Sequence, residues 1–213
     1  GIIGNGSTSA EVRVTSPSTG EVMWVGVINF ATDIYVPIIV PNVIKTASDV
    51  NGGQLLAGDT LRWNVVMTNT GLDSGVNLVA TDNIPAYLTY VPGSLNVTAG
   101  ANAGTKSDTA GDDQAEYIAS GTPRVVFRLG TGANGTNGGV LPYLSSTTFE
   151  FDTTVNSGVP AGTLLTNEVQ IQYSGQTIGD TFAASSAAAT ATVMGPPTIA
   201  KSFVPNVIDV NQA

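Results

Sequence analysis

Residues 61–92 read "LRWNVVMTNTGLDSGVNLVATDNIPAYLTYVP". Leu61, Trp63, Val65 and Met67 alternate with Arg62, Asn64, Val66 and Thr68. A repeat of two residues puts one set on the buried face of a strand and the other on its far face. Asn69 continues the inward series into the turn "TNTG", so its amide is expected to point in at the end of the sheet and serve the backbone groups of the turn. Gly71 is expected to supply a backbone angle that other residues resist. Asp82, before "NIP", is expected to accept backbone N–H groups at the neighbouring turn, and Pro85 to end the strand.

The same alternation recurs along the chain. Phe149 and Phe151 alternate with Glu150 and Asp152. Leu165, Val169, Ile171 and Tyr173 alternate with Thr166, Glu168, Gln170 and Gln172. Turn-forming stretches separate the runs: "NGG" at 51–53, "AGD" at 57–59 and "NSGVPAG" at 156–162. Short strands at this spacing, with almost no helical period, predict an antiparallel β-sandwich. The Ala-rich stretch 183–192 ends in "VMGPP" and is read as an extended edge strand. Residues 22–41 are apolar but interrupted by Asn29, Asp33, Pro37 and Pro41, so they read as strands buried on both faces and not as a membrane-spanning helix.

Composition narrows the chemistry. The 213 residues are 42% hydrophobic and only 11% charged, so a core can form under a surface of neutral polar side chains. Seven Lys and Arg against 16 Asp and Glu leave a net charge of −9, which argues against nucleic acid and anionic membranes as partners. There is no Cys and no His, which removes disulfides, thiol redox chemistry, the commonest general base and the commonest zinc ligand. An enzyme is therefore not expected; paired carboxylates such as Glu150 and Asp152 are ordinary for a solvated strand face.

The chain repeats itself. "PNVIKTASDVNGGQLLAGD" at 41–59 and "PPTIAKSFVPNVIDVNQ" at 196–212 each run from proline through an apolar pair to a lysine and a second apolar patch. One unit is expected at 41–195, with 1–40 as the tail of a preceding unit and 196–213 as the first strand of a following unit or an exchanged strand. Within that unit Lys45, Gly58, Asp59, Asn69, Gly71, Asp82, Pro85, Thr166 and Asn167 fall in the order of a known pattern. The pattern is a lysine strand, a Gly-Asp turn, an Asn-Thr-Gly turn, Thr-Asp-x-x-Pro and a late Thr-Asn. The unit thus resembles the bacterial cell-surface repeat called domain of unknown function eleven. That resemblance implies an immunoglobulin-like antiparallel β-sandwich, here with extra β-strands at both ends, in large secreted surface proteins. The function it implies is a structural module of an extracellular filament or stalk, with copies or repeats of the chain as partners, assembled head to tail through strand pairing. The alternative is an adhesin-type domain that binds a glycan or host surface, which would need an exposed aromatic platform; of the two tryptophans, Trp63 lies on the core series.

Two constellations could carry chemistry. Asp108, Asp112, Asp113 and Glu116 cluster around Gly111, and hard cations take several oxygen ligands at close range, so calcium is the candidate cofactor. The spacing is not that of an EF-hand, and a solvated acidic loop is the competing reading. The second constellation is Lys45 on the first strand of the unit with Asn167 on a late strand. Gram-positive pilin and adhesin domains join such a pair as an isopeptide, with a protonated acid between them. Asp82 fits that acid best; Glu150, on an outward face, fits worse. The competing reading has Lys45 snorkelling at an edge and Asn167 capping a sheet. Sequons at Asn5, Asn96 and Asn134 are the short triplets expected in a chain this rich in Asn and Thr.

Overall fold

In the computed structural model, residues 35–196 are described, together with the isolated positions 11, 13, 20, 199 and 201. Apart from those positions, the expected strands at 1–34 and 197–213 lie outside the described residues. A single 3₁₀ turn, Val40–Asn42, leads into fourteen strands among the described residues. In chain order these are β1 (Val43–Asp49), β2 (Thr60–Thr68), β3 (Gly75–Asn83), β4 (Leu88–Tyr90), β5 (Asn96–Ala99), β6 (Gly104–Thr105) and β7 (Ala115–Ile118). They continue as β8 (Arg124–Arg128), β9 (Gly139–Leu141), β10 (Ser146–Val155), β11 (Leu164–Asn167), β12 (Val169–Gly175), β13 (Thr181–Ser185) and β14 (Ala189–Thr192).

Every pairing is antiparallel. One sheet has the order β1-β2-β10-β5-β6, with β4 also on β10; the other has β13-β12-β3-β8-β7, with β9 also on β3. These are the A-B-E-D and G-F-C orders of an immunoglobulin-like sandwich, with strands added beyond C. The chain passes from a small third sheet, in which β11 pairs with β14, into the second one where β11 gives way to β12. Alternation predicts this architecture because each sheet must hide one face. Along β2, Leu61, Trp63, Val65 and Met67 are at most 1% exposed. They meet Phe149 and Phe151 of β10 across the strand pair, and Phe127 of β8 packs against Phe149 from the facing sheet, with the two rings tilted. Each such side chain contributes about 1.5–3 kcal/mol of burial free energy. On the outer face Arg62 grips Asp152 through Nε and Nη2 at 2.8 and 2.9 Å, its register partner on β10. That pair is part-exposed and adds little beyond register.

The turn after β2 follows the sequence reading at Asn69 and departs from it at Gly71. Asn69 is fully buried. Its Oδ1 accepts from Ile38 N at 3.0 Å and Gly71 N at 3.1 Å, and its Nδ2 donates to Asp73 O at 2.8 Å and Leu141 O at 3.0 Å. Gly71 does not need a left-handed backbone. It needs the absence of a side chain, because a Cβ there would overlap the carbonyl oxygen of Val36. Residues 35–39, read from sequence as a strand buried on both faces, instead lie without a strand ladder across this turn; Pro37 and Ile39 are buried, while Tyr35 and Ile38 are exposed. Thr70 N and Asp73 N donate to Ile38 O and Val36 O, and Ile39 N donates to the Tyr173 hydroxyl. Gly71→Ala is therefore expected to displace residues 36–38 and cost about 1–3 kcal/mol. Urea melts of the two proteins check this; a change within a few tenths would show that the segment yields freely.

The chain comes in at one pole of the sandwich and goes out at the other. β1 starts beside the end of β2, with Val43 opposite Met67, and ends with Asp49 opposite Leu61. After β14, Val193 O accepts from Gly162 N and Met194 N donates to Leu55 O, at the pole where β1 ends.

Candidate functional site

β1 presents Val43, Lys45 and Ala47 inward, so a lysine stands in a row of apolar positions. Its side chain is 0% exposed. The nitrogen lies 5.3 Å from the ring centre of Trp63 and 5.4 Å from that of Phe151. β1 pairs with β2, and β2 with β10, which brings the two rings of the core series against it. The snorkelling alternative does not hold: the amine is inside.

Asp82 is inward on β3, in the facing sheet, and 1% exposed. Its Oδ2 takes a short hydrogen bond from Lys45 Nζ. Its Oδ1 accepts from Asn167 Nδ2 at 2.8 Å. Asn167, 5% exposed, is the last residue of β11. Two residues on, Val169 of β12 is the register partner of Asp82, so the change of sheet at Glu168 sets the amide beside the carboxyl. One carboxyl group thus bridges an amine and a carboxamide that stand about 120 residues apart in the chain. The expectation that Asp82 would accept backbone N–H groups at a turn is corrected: both of its oxygens serve side chains. Glu150 is elsewhere, near Arg62 and Asn96 on the outer face.

Burial decides the electrostatics. Loss of water pushes the Lys45 amine down from its ordinary value, and Asp82 opposes that shift through its charge and hydrogen bond. Loss of water pushes the Asp82 carboxyl up, against the charge and hydrogen bond of Lys45 and the hydrogen bond of Asn167. Desolvation comes first for both groups, so both move towards their neutral forms. A neutral amine is a nucleophile, and a protonated carboxyl can hand on a proton.

The acidic loop is differently arranged. Asp108 accepts from the Tyr90 hydroxyl and from Gly93 N. Asp113 accepts from Ser107 N and Ala115 N, both at 2.8 Å. Glu116 pairs with Arg128 across β7 and β8, and Asp112 is exposed. Among the described residues no three acidic side chains converge on one point. These carboxylates close the loop and pair the half-buried Arg128, an arrangement that does not fit a calcium centre. Asp59 and Asp73 are turn residues, accepting from Leu56 N and from Ser74 N and Thr177.

Sequence reasoning named Lys45, Asp82 and Asn167 but not the walls around them. Trp63 and Phe151 were legible as core positions; that they flank the amine follows only from the β1-β2-β10 order. A groove of about 320 Å³ whose lining includes Asn83, Pro85, Thr166, Asn167, Gln170 and Ser185 was not legible at all.

No family model matches the chain. No curated protein matches it either. Solved structures do resemble its fold. BcpA, the major pilin subunit of Bacillus cereus, aligns over 74% of this chain and 40% of its own, at 12% identity and a TM-score of 0.47. Domains D2 and D3 of the major pilin SpaD from Corynebacterium diphtheriae align over 70% and 51%, at 13% identity and a TM-score of 0.48. ACE19, the collagen binding subdomain of the Enterococcus faecalis surface protein ACE, aligns over 71% and 97%, at 11% identity and a TM-score of 0.46. The alignment thus spans about half or less of each pilin chain. Among the described residues no helix is long and apolar enough to cross a membrane.

Proposed function

We propose that this chain is a structural module of an extracellular, cell-surface filament or stalk, a repeat of the kind its sequence resembles, and that its sandwich is locked by an isopeptide bond between Lys45 and Asn167. The observation that carries the reading is the single buried carboxyl of Asp82 between the amine and the carboxamide. In the reaction the neutral Lys45 nitrogen attacks Cγ of Asn167. Asp82 accepts a proton from that nitrogen through Oδ2 and gives its own to the amide nitrogen through Oδ1. The C–N bond to Nδ2 breaks, ammonia leaves, and Asp82 ends protonated as it began. Amine and carboxamide become one secondary amide plus ammonia, with no oxidant, metal or cofactor consumed. It happens once per chain and is not turnover.

The placement of the bond supports a load-bearing role. Tension along a stack of such modules enters through residues 35–39 and β1 and leaves through β14. Lys45 is on β1, and Asn167 is the register partner of Ala189 on β14. The link therefore joins the first loaded strand to β11, the strand paired with the last, and takes residues 46–166 out of the path of the force. Head-to-tail stacking, with other copies or repeats of itself as partners, is supported by the described residues coming in at one pole and leaving at the other. The adhesin alternative has less support: Trp63 is in the core, and the exposed aromatics among the described residues are the single tyrosines Tyr35, Tyr87 and Tyr143.

Pulling the full chain from its ends tests this. The linked protein is expected to release roughly 400 Å less contour than Lys45→Ala, the length of about 120 extended residues. Equal extensions for the two proteins would remove the load-bearing reading.

A further inference from the structure

The groove beside Asn167 has a role in the chemistry just proposed, and the inference rests on that reading. Asn167 contributes to its lining, between the Asn83–Pro85 turn after β3 and the outward residues Gln170 and Ser185 of β12 and β13. The amide nitrogen of Asn167 donates to Asp82. The amide oxygen accepts no hydrogen bond from any described residue, yet it is not sealed like the buried side-chain atoms that lack a partner among the described residues, Asp49 Oδ2, Gln114 Nε2 and Arg128 Nη1. That oxygen is therefore the solvent-touching edge of a site whose other members, Lys45 and Asp82, are sealed.

We propose that this groove is the solvent port of the cross-linking reaction. When the Lys45 nitrogen adds to Cγ, the C=O electrons move onto Oδ1, and the oxygen carries negative charge until the C–N bond to Nδ2 breaks. A charge forming in a low-dielectric site needs hydrogen-bond donors aimed at it, and the loss of even one such donor is costly. The described protein offers none to this oxygen, so water reaching it through the groove supplies them. The same opening is the way out for ammonia, because the opposite side of the site is closed by Trp63 and Phe151. Solvent access on the side of the oxygen, with exclusion on the side of the amine, keeps Lys45 neutral while its product escapes.

The test fills the groove without touching Lys45, Asp82 or Asn167. Gln170 and Ser185 are both exposed and are register partners, so a large side chain at either lies over the opening. Gln172 is exposed one step further along β12 and is not in the lining. The full chain is made by cell-free synthesis and its intact mass is followed with time. Gln170→Trp and Ser185→Trp are expected to lose ammonia at least about ten-fold more slowly than wild type. Gln172→Trp is expected to keep the wild-type rate. Near-ultraviolet circular dichroism identifies which variants have native packing, and either groove variant alone suffices. A natively packed groove variant that links at the wild-type rate overturns the port and leaves the cross-link standing. A wild-type chain that never loses ammonia overturns the cross-link itself, and the port with it.

Discussion

The intact chain is expected to weigh one ammonia less than its sequence requires, and Lys45→Ala, Asp82→Ala and Asn167→Ala are each expected to return the mass to the sequence value. Asp82→Ala is the most informative, because it keeps both partners of the bond and removes only the group between them. The linked and unlinked proteins should also differ widely in stability. A bond that closes a loop of about 120 residues restricts the unfolded chain, and loop-closure entropy for that length amounts to about 4–5 kcal/mol. For a domain of this size that corresponds to a melting temperature higher by roughly 10–20 °C. The Asn167→Ala comparison isolates this effect best, since it leaves Lys45 and Asp82 facing each other. Lys45→Ala adds a cavity beside Trp63 and Phe151 and should fall somewhat further. A wild-type mass equal to the sequence value would end the cross-link reading, whatever the melting curves show.

Asn69→Ala is expected to be the most damaging substitution away from that site, at about 3–5 kcal/mol. The amide is fully buried and makes four hydrogen bonds to backbone groups from three parts of the chain: the incoming segment at Ile38, the turn at Gly71 and Asp73, and β9 at Leu141. Removing it leaves two N–H and two C=O groups with no side-chain partner. Small hydrophobic replacements cannot repair that, so Asn69→Val should be no better. Asn69→Asp keeps the acceptor for Ile38 and Gly71 but loses both donors and adds a charge; it too should unfold at lower urea than wild type. Denaturant midpoints in one cross-link background measure the loss. A midpoint within experimental scatter of wild type would mean that the turn is held by something other than this amide. Hydrogen exchange at Ile38 and Gly71 should accelerate in step, because both donate to the lost oxygen.

How much of this was legible in advance depended on the range of the interaction. Alternation along β2, β10 and β12 is a local property, and it revealed the strands, their inward faces and the antiparallel sandwich before any contact was known. Asn69 was readable for the same reason: it is the next inward position after Met67, at the end of a strand that a turn must close. Gly71 was readable as a necessary glycine but for the wrong cause, because nothing local says that Val36 lies against it. In the acidic loop, nearness in sequence did not show which partners the carboxylates take. Asp108, Asp113 and Glu116 are neighbours in sequence, yet a β-turn and a strand pair send them to Tyr90, Ser107 and Arg128.

For Lys45 and Asn167 the sequence alone determined two things: that Asn167 continues an inward series, and that one is early and the other late in the unit; that Lys45 also faces inward came from the structure. That they meet, and that Asp82 stands between them, was decided only by the tertiary structure. The contact requires β1 and β3 to lie in facing sheets, and it requires the chain to change sheets at Glu168, between Asn167 and the residue that pairs with Asp82. Neither feature leaves a local mark in composition or period. The physical reason is that side-chain periodicity encodes which face a residue takes, whereas the packing of one sheet on another encodes which residue it finds there.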